Sequence, residues 1–154
     1  MTRKLLLDNQ LCFALYSATN SITRYYNKFL SKIGITYTQY LVLILLSEEK
    51  LMTIQQISKR LKLNPSTISP VLKRLLKLDL IEKNRDSKDE RIVKVNLTKK
   101  AIMIEEKFIQ IQKMVMTKSD LDDNRYTNLK AALSTLSNKL DDEVDLKNCE
   151  SSNN

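Results

Sequence analysis

The stretch that decides the fold runs from Thr53 to Leu97 and reads TIQQISKRLKLNPSTISPVLKRLLKLDLIEKNRDSKDERIVKVNL. It opens with a capping box, in which the Thr53 hydroxyl and the Gln56 side-chain amide satisfy backbone N–H groups at the start of a helix. The box predicts a short helix whose apolar positions recur at helical spacing, namely Ile54, Ile57 and Leu61.

A second helix is predicted after a three-residue break. Asn64 suits the N-cap and Pro65 the first helical position, where the missing N–H of proline is not needed. Pro70 lies inside this helix and cannot donate to the carbonyl four residues earlier, so we expect a local bend. Its apolar face is predicted to bury Ile68, Val71, Leu72, Leu75 and Leu76, and its other face carries Ser66, Thr67, Ser69, Lys73 and Arg74.

Two alternating strands, Leu80 to Arg85 and Ile92 to Leu97, follow this helix and enclose a polar loop. Helix, short turn, helix and charged hairpin is the order of a winged helix-turn-helix. The predicted fold class is therefore mainly α with a small β-wing.

Positive charge is concentrated on the same stretch. The whole chain has a formal net charge of +8, and residues 53–97 hold eleven Lys and Arg against five Asp and Glu. Residues 141–150 hold one Lys against five acidic residues. A surplus of cations on a helix-turn-helix is what phosphate neutralisation needs, so we expect double-stranded DNA as a partner.

The overall composition narrows the class of protein. A chain of 154 residues with one glycine and two prolines suits a single, mostly helical domain with extensions. The absence of histidine, with only two distant cysteines, excludes most zinc sites and most acid–base catalysis at neutral pH. We therefore expect no enzyme, no metal and no cofactor. No apolar run is long enough for a membrane span or a signal peptide, which favours a cytoplasmic protein.

A long helix is predicted before the winged domain. Asp8 is a plausible N-cap, the helical spacing continues to about Lys32, and Gly34 suits the position just after a helix end. Thr36 then begins a second capping box and a helix that runs to about Glu49.

Two further helices are predicted after the wing, one capped by Thr98 and running to about Thr117, and one beginning near Asp122. The last helix carries an apolar seam at three- and four-residue spacing, formed by Tyr126, Leu129, Leu133, Leu136 and Leu140.

The helices on either side of the winged domain carry more apolar surface than that domain can cover, so we expect them to form a homodimer interface. The predicted organisation is an N-terminal dimerisation helix at 1–36, a winged helix-turn-helix at 37–98, C-terminal dimerisation helices at 99–141 and a disordered acidic tail at 142–154.

This order of elements, with DER at 89–91 and NLT at 96–98, resembles the MarR family of bacterial transcription regulators over about residues 8 to 140. Three motifs resemble one subgroup, the organic-hydroperoxide-sensing repressors and their relatives that sense oxidants through a single N-terminal cysteine. These motifs are NQLCF at 9–13, ITYTQY at 35–40 and SPVLKR at 69–74.

The resemblance implies how DNA is read. The second helix of the motif would lie in the major groove of a palindromic operator, and Arg91 would enter the minor groove from the wing, held by Asp89. The first turn, NPS at 64–66, departs from the Asp-Ser-Gly of close relatives, so the operator sequence is not implied. The candidate DNA-binding residues are Ser66, Thr67, Ser69, Lys73, Arg74, Arg85, Lys88, Asp89 and Arg91.

Cys12 is the candidate sensing residue. It falls in the first or second turn of the predicted first helix, where the helix dipole favours the thiolate. Tyr16, Tyr26 and Tyr37 could donate hydrogen bonds to that thiolate, and the resemblance implies Cys12 as the sensing thiol with Tyr26 and Tyr37 as its donors. Cys12 and Tyr26 are fourteen residues apart, about 21 Å along one helix. Their contact would therefore have to cross the interface of a dimer.

Several functions remain open at this point. The first is a regulator, expected to be a repressor, that is released when an organic hydroperoxide or other oxidant modifies Cys12, with a low-molecular-weight thiol or Cys149 as a disulfide partner. The second keeps DNA binding but makes Cys12 structural, with a small aromatic acid or other ligand bound between the terminal helices and the winged domain. A thiol peroxidase and a non-specific DNA-coating protein complete the alternatives.

Overall fold

The computed structural model describes residues 5–85, 89 and 91–150, with side chains up to Asp142. In chain order the elements are α1 (Leu11–Leu30), α2 (Tyr37–Glu49), β1 (Met52–Thr53), α3 (Ile54–Leu61), α4 (Pro65–Lys77), β2 (Ile81–Arg85), β3 (Val93–Leu97), α5 (Lys99–Met103), α6 (Glu105–Ser119) and α7 (Asp123–Glu150). The chain divides into two compact units, one ending at Val115 and the other beginning at Met116.

Both predicted capping boxes are confirmed. At the start of α2 the Thr36 N–H donates to Gln39 Oε1 at 2.9 Å, and the Gln39 N–H donates to Thr36 Oγ1 at 3.4 Å. At the start of α3 the Thr53 N–H donates to Gln56 Oε1 at 2.8 Å, and the reciprocal bond is 3.2 Å. These local signals set where α2 and α3 begin.

The first helix begins later than predicted. Asp8 is not its N-cap, because Leu7–Asn9 form a short 3-10 turn that ends in an extended residue, Gln10. Regular α-helix therefore starts at Leu11 and gives way to a 3-10 turn after Leu30. Gly34 closes that turn with φ +82°, a left-handed conformation that glycine adopts without strain, as predicted.

The helix-turn-helix has the predicted order. The turn between α3 and α4 passes through Lys62 at φ +54°, and Pro65 is the first residue of α4. Asn64 occupies the N-cap, but its side chain makes no capping bond to any described residue. On α4 the core face is as expected, except that Val71 and Leu76 are only partly buried.

The hairpin strands β2 and β3 belong to a three-stranded antiparallel sheet of order β1-β3-β2, in which β3 is central. Ile81 pairs with Leu97 and Arg85 with Val93, so each strand is one residue shorter than predicted. The short strand β1 was not predicted, and it pairs Met52 with Val95 on the other side of β3.

One hydrophobic core joins the second half of α1 to α2, the helix-turn-helix, the sheet and α5–α6. Its most deeply buried side chains come from distant parts of the chain, and they include Leu30, Leu43, Leu46, Ile57, Ile68, Leu75, Ile81 and Val95.

Two C-terminal predictions are corrected. The helix after Thr98 is not continuous, because Ile104 makes a 3-10-type bond to Ala101 and separates α5 from α6. The last helix continues to Glu150 instead of giving way to disorder at Asp142. Residues 142–150 contain no glycine or proline to end it, and residues 151–154 lie outside the described part of the chain.

Within the described residues, no single helix is long and apolar enough to cross a membrane. A helix pair, Leu11–Ile33 with Tyr37–Glu49, meets the same length and composition criteria together, with a bend of 78° between its members.

Candidate DNA-binding surface and thiol site

The outer face of α4 carries the predicted recognition residues. Their side chains are all exposed: Ser66, Thr67, Ser69, Lys73 and Arg74. The Ser69 hydroxyl donates its hydrogen to the Pro65 carbonyl at 3.0 Å, so it can only accept a hydrogen bond from a ligand. Towards the end of the helix, an open groove is lined by Lys73, Arg74 and Lys77 together with Pro70 and Leu78. Lys73 and Arg74 were candidate DNA-binding residues from sequence, whereas Lys77 was not singled out, although it lies on the same helix at helical spacing from them.

The wing presents its charged tip through a tight turn. Asp89 accepts a hydrogen bond from the Arg91 N–H at 3.0 Å, and its carbonyl accepts from the Ile92 N–H at 3.0 Å. The Arg91 side chain is exposed, as is that of Arg85 at the end of β2. Asp89 thus fixes the backbone of Arg91, and Lys88 lies outside the described residues.

A cross-strand ladder of polar side chains stiffens the wing. The Asn96 Nδ2 group donates to Glu82 Oε1 at 2.8 Å and to the carbonyl of Leu97 at 3.1 Å, and Asn84 donates to the Asn96 side-chain oxygen. The ladder holds β2 to β3 beyond their backbone bonds. Sequence alternation placed these residues on strands but gave no signal for the bonds between them.

Cys12 is an exposed free thiol at the second residue of α1, within the predicted first or second turn. Apolar neighbours are also exposed around it: Leu11 at 63% and, one turn further, Tyr16 at 67%. Before α1, the exposed side chains include Leu5, Leu6 and Leu7. Several exposed apolar side chains close together in the chain are typical of an interaction site.

The other two candidate tyrosines lie in a separate aromatic cluster. The ring centroids of Tyr26 and Tyr37 are 5.1 Å apart, those of Tyr26 and Tyr40 are 5.2 Å apart, and Tyr40 meets Phe108 edge-on at 5.2 Å. Tyr26 is 8% exposed and Tyr37 is half-buried. Tyr40 belongs to the ITYTQY motif at 35–40, but no role was predicted for it from sequence.

Burial controls the chemistry of these phenols. It raises the pKa of Tyr37, with a smaller contribution from Tyr26, and it raises the pKa of Tyr40 further, helped by a hydrogen bond with Tyr26. Both hydroxyls therefore stay protonated at neutral pH and can donate hydrogen bonds.

The structure does not bring Cys12 to Tyr26 within one chain. Both belong to the single helix α1, so about 21 Å separates them along its axis. Tyr37 contacts Tyr26 and lies at the same end of that helix. Of the three candidate tyrosines, only Tyr16 lies one helical turn from Cys12 on the same helix.

A cavity of about 200 Å³ lies between α2 and the α5–α6 segment. The Ser47 hydroxyl donates to Glu105 Oε1 at 2.6 Å in its wall. Its lining combines apolar and aromatic side chains with two carboxylates and has no Lys or Arg among the described residues: Tyr40, Leu43, Ile44, Ser47, Glu48, Leu97, Ala101, Glu105, Phe108, Ile109 and Gln112. Across the described chain, no group of three or more His, Cys, Asp or Glu side chains is arranged to hold a metal ion.

Comparisons with known proteins agree with this architecture. A family model described as transcriptional regulator SarA/Rot matches residues 24–108. The organic hydroperoxide resistance transcriptional regulator of Bacillus subtilis strain 168 is 38% identical over 130 residues, which cover 84% of this chain and 88% of that protein.

Solved structures of AbfR from Staphylococcus epidermidis are also similar. Reduced AbfR bound to DNA is 31% identical, with a TM-score of 0.74 over 90% of this chain and 94% of that one. A disulfide form of AbfR is 31% identical, with a TM-score of 0.62 over 90% of this chain and 92% of that one.

Proposed function

Since this chain belongs to the SarA/Rot and MarR-type family of winged-helix transcriptional regulators, we propose that it is a homodimeric repressor that leaves a palindromic operator when an organic hydroperoxide oxidises Cys12. The exposed thiol of Cys12 in the first turn of α1 carries the proposal. The similarity to a regulator of organic hydroperoxide resistance and to a regulator solved in a disulfide form supports it. Proteins of this family are regulators and not enzymes, which sets the thiol-peroxidase alternative aside.

DNA contact is assigned to α4 and the wing. The exposed face of α4 suits the major groove, where Ser66, Thr67 and Ser69 reach base edges and Lys73 and Arg74 meet phosphates. Arg85 and Arg91 extend the contact from the wing. A narrow minor groove concentrates negative potential, which attracts the guanidinium of Arg91.

Dimerisation is assigned to the helices outside the winged domain. In the first compact unit the apolar residues around Cys12 are exposed, and in the second unit the predicted seam is exposed at Leu129 (48%), Leu133 (40%) and Leu140 (57%). A second copy of the chain would cover such surfaces. Its two-fold symmetry would also place two recognition helices about 34 Å apart, one turn of DNA.

The proposed sensing step is a two-electron oxidation. The Cys12 thiolate attacks the terminal oxygen of the hydroperoxide, the O–O bond breaks, and sulfur keeps the hydroxyl as sulfenic acid. The alkoxide takes a proton from water and leaves as the alcohol. A low-molecular-weight thiol then condenses with the sulfenic acid, forming a mixed disulfide and releasing water.

Release of DNA follows from the loss of the thiolate. The half-buried Tyr37 keeps its proton, so it can donate to the thiolate of the partner's Cys12 across the interface. Tyr26 packs against Tyr37, and Tyr16 is the donor on the same helix as Cys12. Oxidation removes the anionic acceptor, and a change of a few kcal/mol in interface energy is enough for a large loss of operator occupancy.

The test uses a duplex that the wild-type protein selects from a random-sequence pool. Fluorescence anisotropy would follow its release by cumene hydroperoxide, and mass spectrometry would locate the modified cysteine. We expect wild type and the matched control Cys149→Ser to release the duplex and Cys12→Ser to stay bound. Release of Cys12→Ser by the peroxide would exclude Cys12 as the sensor.

The cavity between α2 and α5–α6 favours a second candidate, a regulator released by a small ligand. Its wall holds the carboxylates of Glu48 and Glu105 beside the aromatic rings of Tyr40 and Phe108. Glu48 also forms an ion pair with Arg60 at 3.7 Å, and exposed pairs of this kind are weak. This chemistry suits a small aromatic amine better than an aromatic acid.

Calorimetric titration with benzylamine and benzoate separates these ligands. Binding of benzylamine that Glu105→Gln weakens, together with release of the selected duplex, would support the second candidate. Binding of benzoate alone would contradict the assigned ligand chemistry.

A further inference from the structure

The three carbonyls that follow the recognition helix are all held by residues 98–100. The Leu78 carbonyl accepts from Lys100 Nζ at 2.6 Å, and the Asp79 carbonyl accepts from the Thr98 hydroxyl at 2.8 Å. The Leu80 carbonyl accepts from the Thr98 N–H at 3.1 Å. The end of α4 is therefore fastened to the start of α5 by three consecutive bonds.

The Thr98 hydroxyl makes one hydrogen bond at the start of α5 and another to the turn that follows α4. As the N-cap of α5 it accepts from the Ala101 N–H at 3.3 Å, and it donates to the turn after α4. That turn is tight, since Asp79 has φ +56° and the Leu80 N–H reaches back to the Leu75 carbonyl at 3.0 Å. A shift of either helix end changes the geometry at this one oxygen.

Lys100 lies where a cation is favourable for a reason unrelated to DNA. The C-terminal end of a helix is partially negative, and an ammonium group that bonds its last carbonyls is stabilising there. Lys100 lies just after the basic stretch 53–97 and was not among the candidate DNA-binding residues. Its ammonium is bonded to the Leu78 carbonyl.

We infer that Thr98 and Lys100 are positioning residues that fix the orientation of the recognition helix α4 on α5, and that Lys100 acts on DNA only through α4. The inference depends on the proposed reading of DNA by α4. Specific binding needs α4 in one orientation, whereas non-specific binding needs only positive charge. Removing the bonds made by Thr98 or Lys100 should therefore weaken specific binding and leave non-specific binding unchanged.

The experiment measures affinity for the selected duplex and for a scrambled duplex of equal length over a series of salt concentrations. Lys100→Met keeps the aliphatic stem, and Lys99→Met is the matched control because it removes the same charge one residue away. We expect Lys100→Met to weaken binding to the selected duplex by up to about tenfold, because loss of one charge-assisted hydrogen bond leaves α4 in the binding orientation for only part of the time. Its salt slope and its affinity for the scrambled duplex should match those of Lys99→Met.

Direct phosphate contact by Lys100 would give the opposite pattern. The slope of log K against log salt would become shallower by about 0.9, and affinity for both duplexes would fall together. That result, or unchanged binding of the selected duplex by Lys100→Met, overturns the inference.

The Thr98 variants test the shared hydroxyl. Thr98→Ser keeps it and should bind as wild type, whereas Thr98→Ala should lose specific affinity, with circular dichroism checking that each is folded. If Thr98→Ala fails to fold, the Lys100→Met result still decides. If the wild-type protein selects no sequence at all, the proposed function fails and not this inference alone.

Discussion

The Ser47 hydroxyl donates to the Glu105 carboxylate at 2.6 Å, although the two residues are 58 positions apart in the chain. The bond ties α2 to the first residue of α6, directly after the break at Ile104. A partly buried bond to a charged group contributes about 1 to 3 kcal/mol, so Ser47→Ala should lower the free energy of unfolding by that amount. Urea denaturation would measure it. Glu105→Gln keeps an acceptor oxygen and should cost less, and an unchanged midpoint for Ser47→Ala would contradict the prediction.

Ser58 on α3 should behave in the opposite way. Its side chain is 5% exposed, and its hydroxyl has no hydrogen-bond partner among the described residues. Burial of an unpaired hydroxyl costs about 1 to 3 kcal/mol, so Ser58→Ala should raise the free energy of unfolding by about 1 kcal/mol. Thermal unfolding would show this as a higher midpoint. The control is Ser69→Ala, whose exposed hydroxyl bonds the Pro65 carbonyl, and a destabilised Ser58→Ala would show that Ser58 has a partner.

Ionisation of the buried Tyr40 phenol should lower the free energy of unfolding at alkaline pH. Burial, with Tyr26 beside it, raises the pKa of Tyr40 above its ordinary value of 10.0. The unfolded state therefore loses this proton first, and the stabilisation that is complete below pH 10 declines as the pH rises above that value. The difference in urea midpoint between wild type and Tyr40→Phe should narrow or reverse between pH 8 and about pH 11. A difference that is constant with pH would contradict this.

Arg91 should contribute more to DNA affinity than its partner in the turn. Arg91→Ala removes the charge proposed for the minor groove and should weaken binding of the selected duplex by about 1 to 3 kcal/mol. Asp89→Ala loosens only the turn that holds Arg91 and should have a smaller effect. Arg125→Ala removes an exposed arginine from α7, where its Nε lies 3.6 Å from Asp122, and serves as the control for net charge. Equal losses for Arg91→Ala and Arg125→Ala would assign the effect to charge alone.

The winged domain was predictable because its signals are local. Thr36, Thr53 and Thr98 each cap a helix within three residues of themselves, and period-two alternation marked both strands of the hairpin. The prediction of Asp8 as the N-cap of α1 was wrong although it also rested on a local signal, because Asp8 lies inside a 3-10 turn that precedes the helix.

The structural features that were not predicted from sequence depend mainly on contacts between residues far apart in the chain. Strand β1 has two residues and exists through pairing with Val95, so no window around Met52 reveals it. The aromatic cluster joins Tyr26 on α1 to Tyr40 on α2 and Phe108 on α6, and helical spacing alone reads Tyr40 as an apolar position. The predicted end of α7 failed because acidic composition was taken as a sign of disorder where nothing interrupts the helix.

The strand order β1-β3-β2 leaves β2 at the outer edge of the sheet. An uncovered edge is where sheets of different molecules join and aggregate. Four of its five residues, Glu82 to Arg85, are exposed and polar or charged, and the Asn96 ladder draws Glu82 and Asn84 towards β3. Strand-to-strand joining of two wings would bring charged side chains together. The protein should consequently remain dispersed at high concentration, and association between copies is left to the apolar surfaces outside the wing.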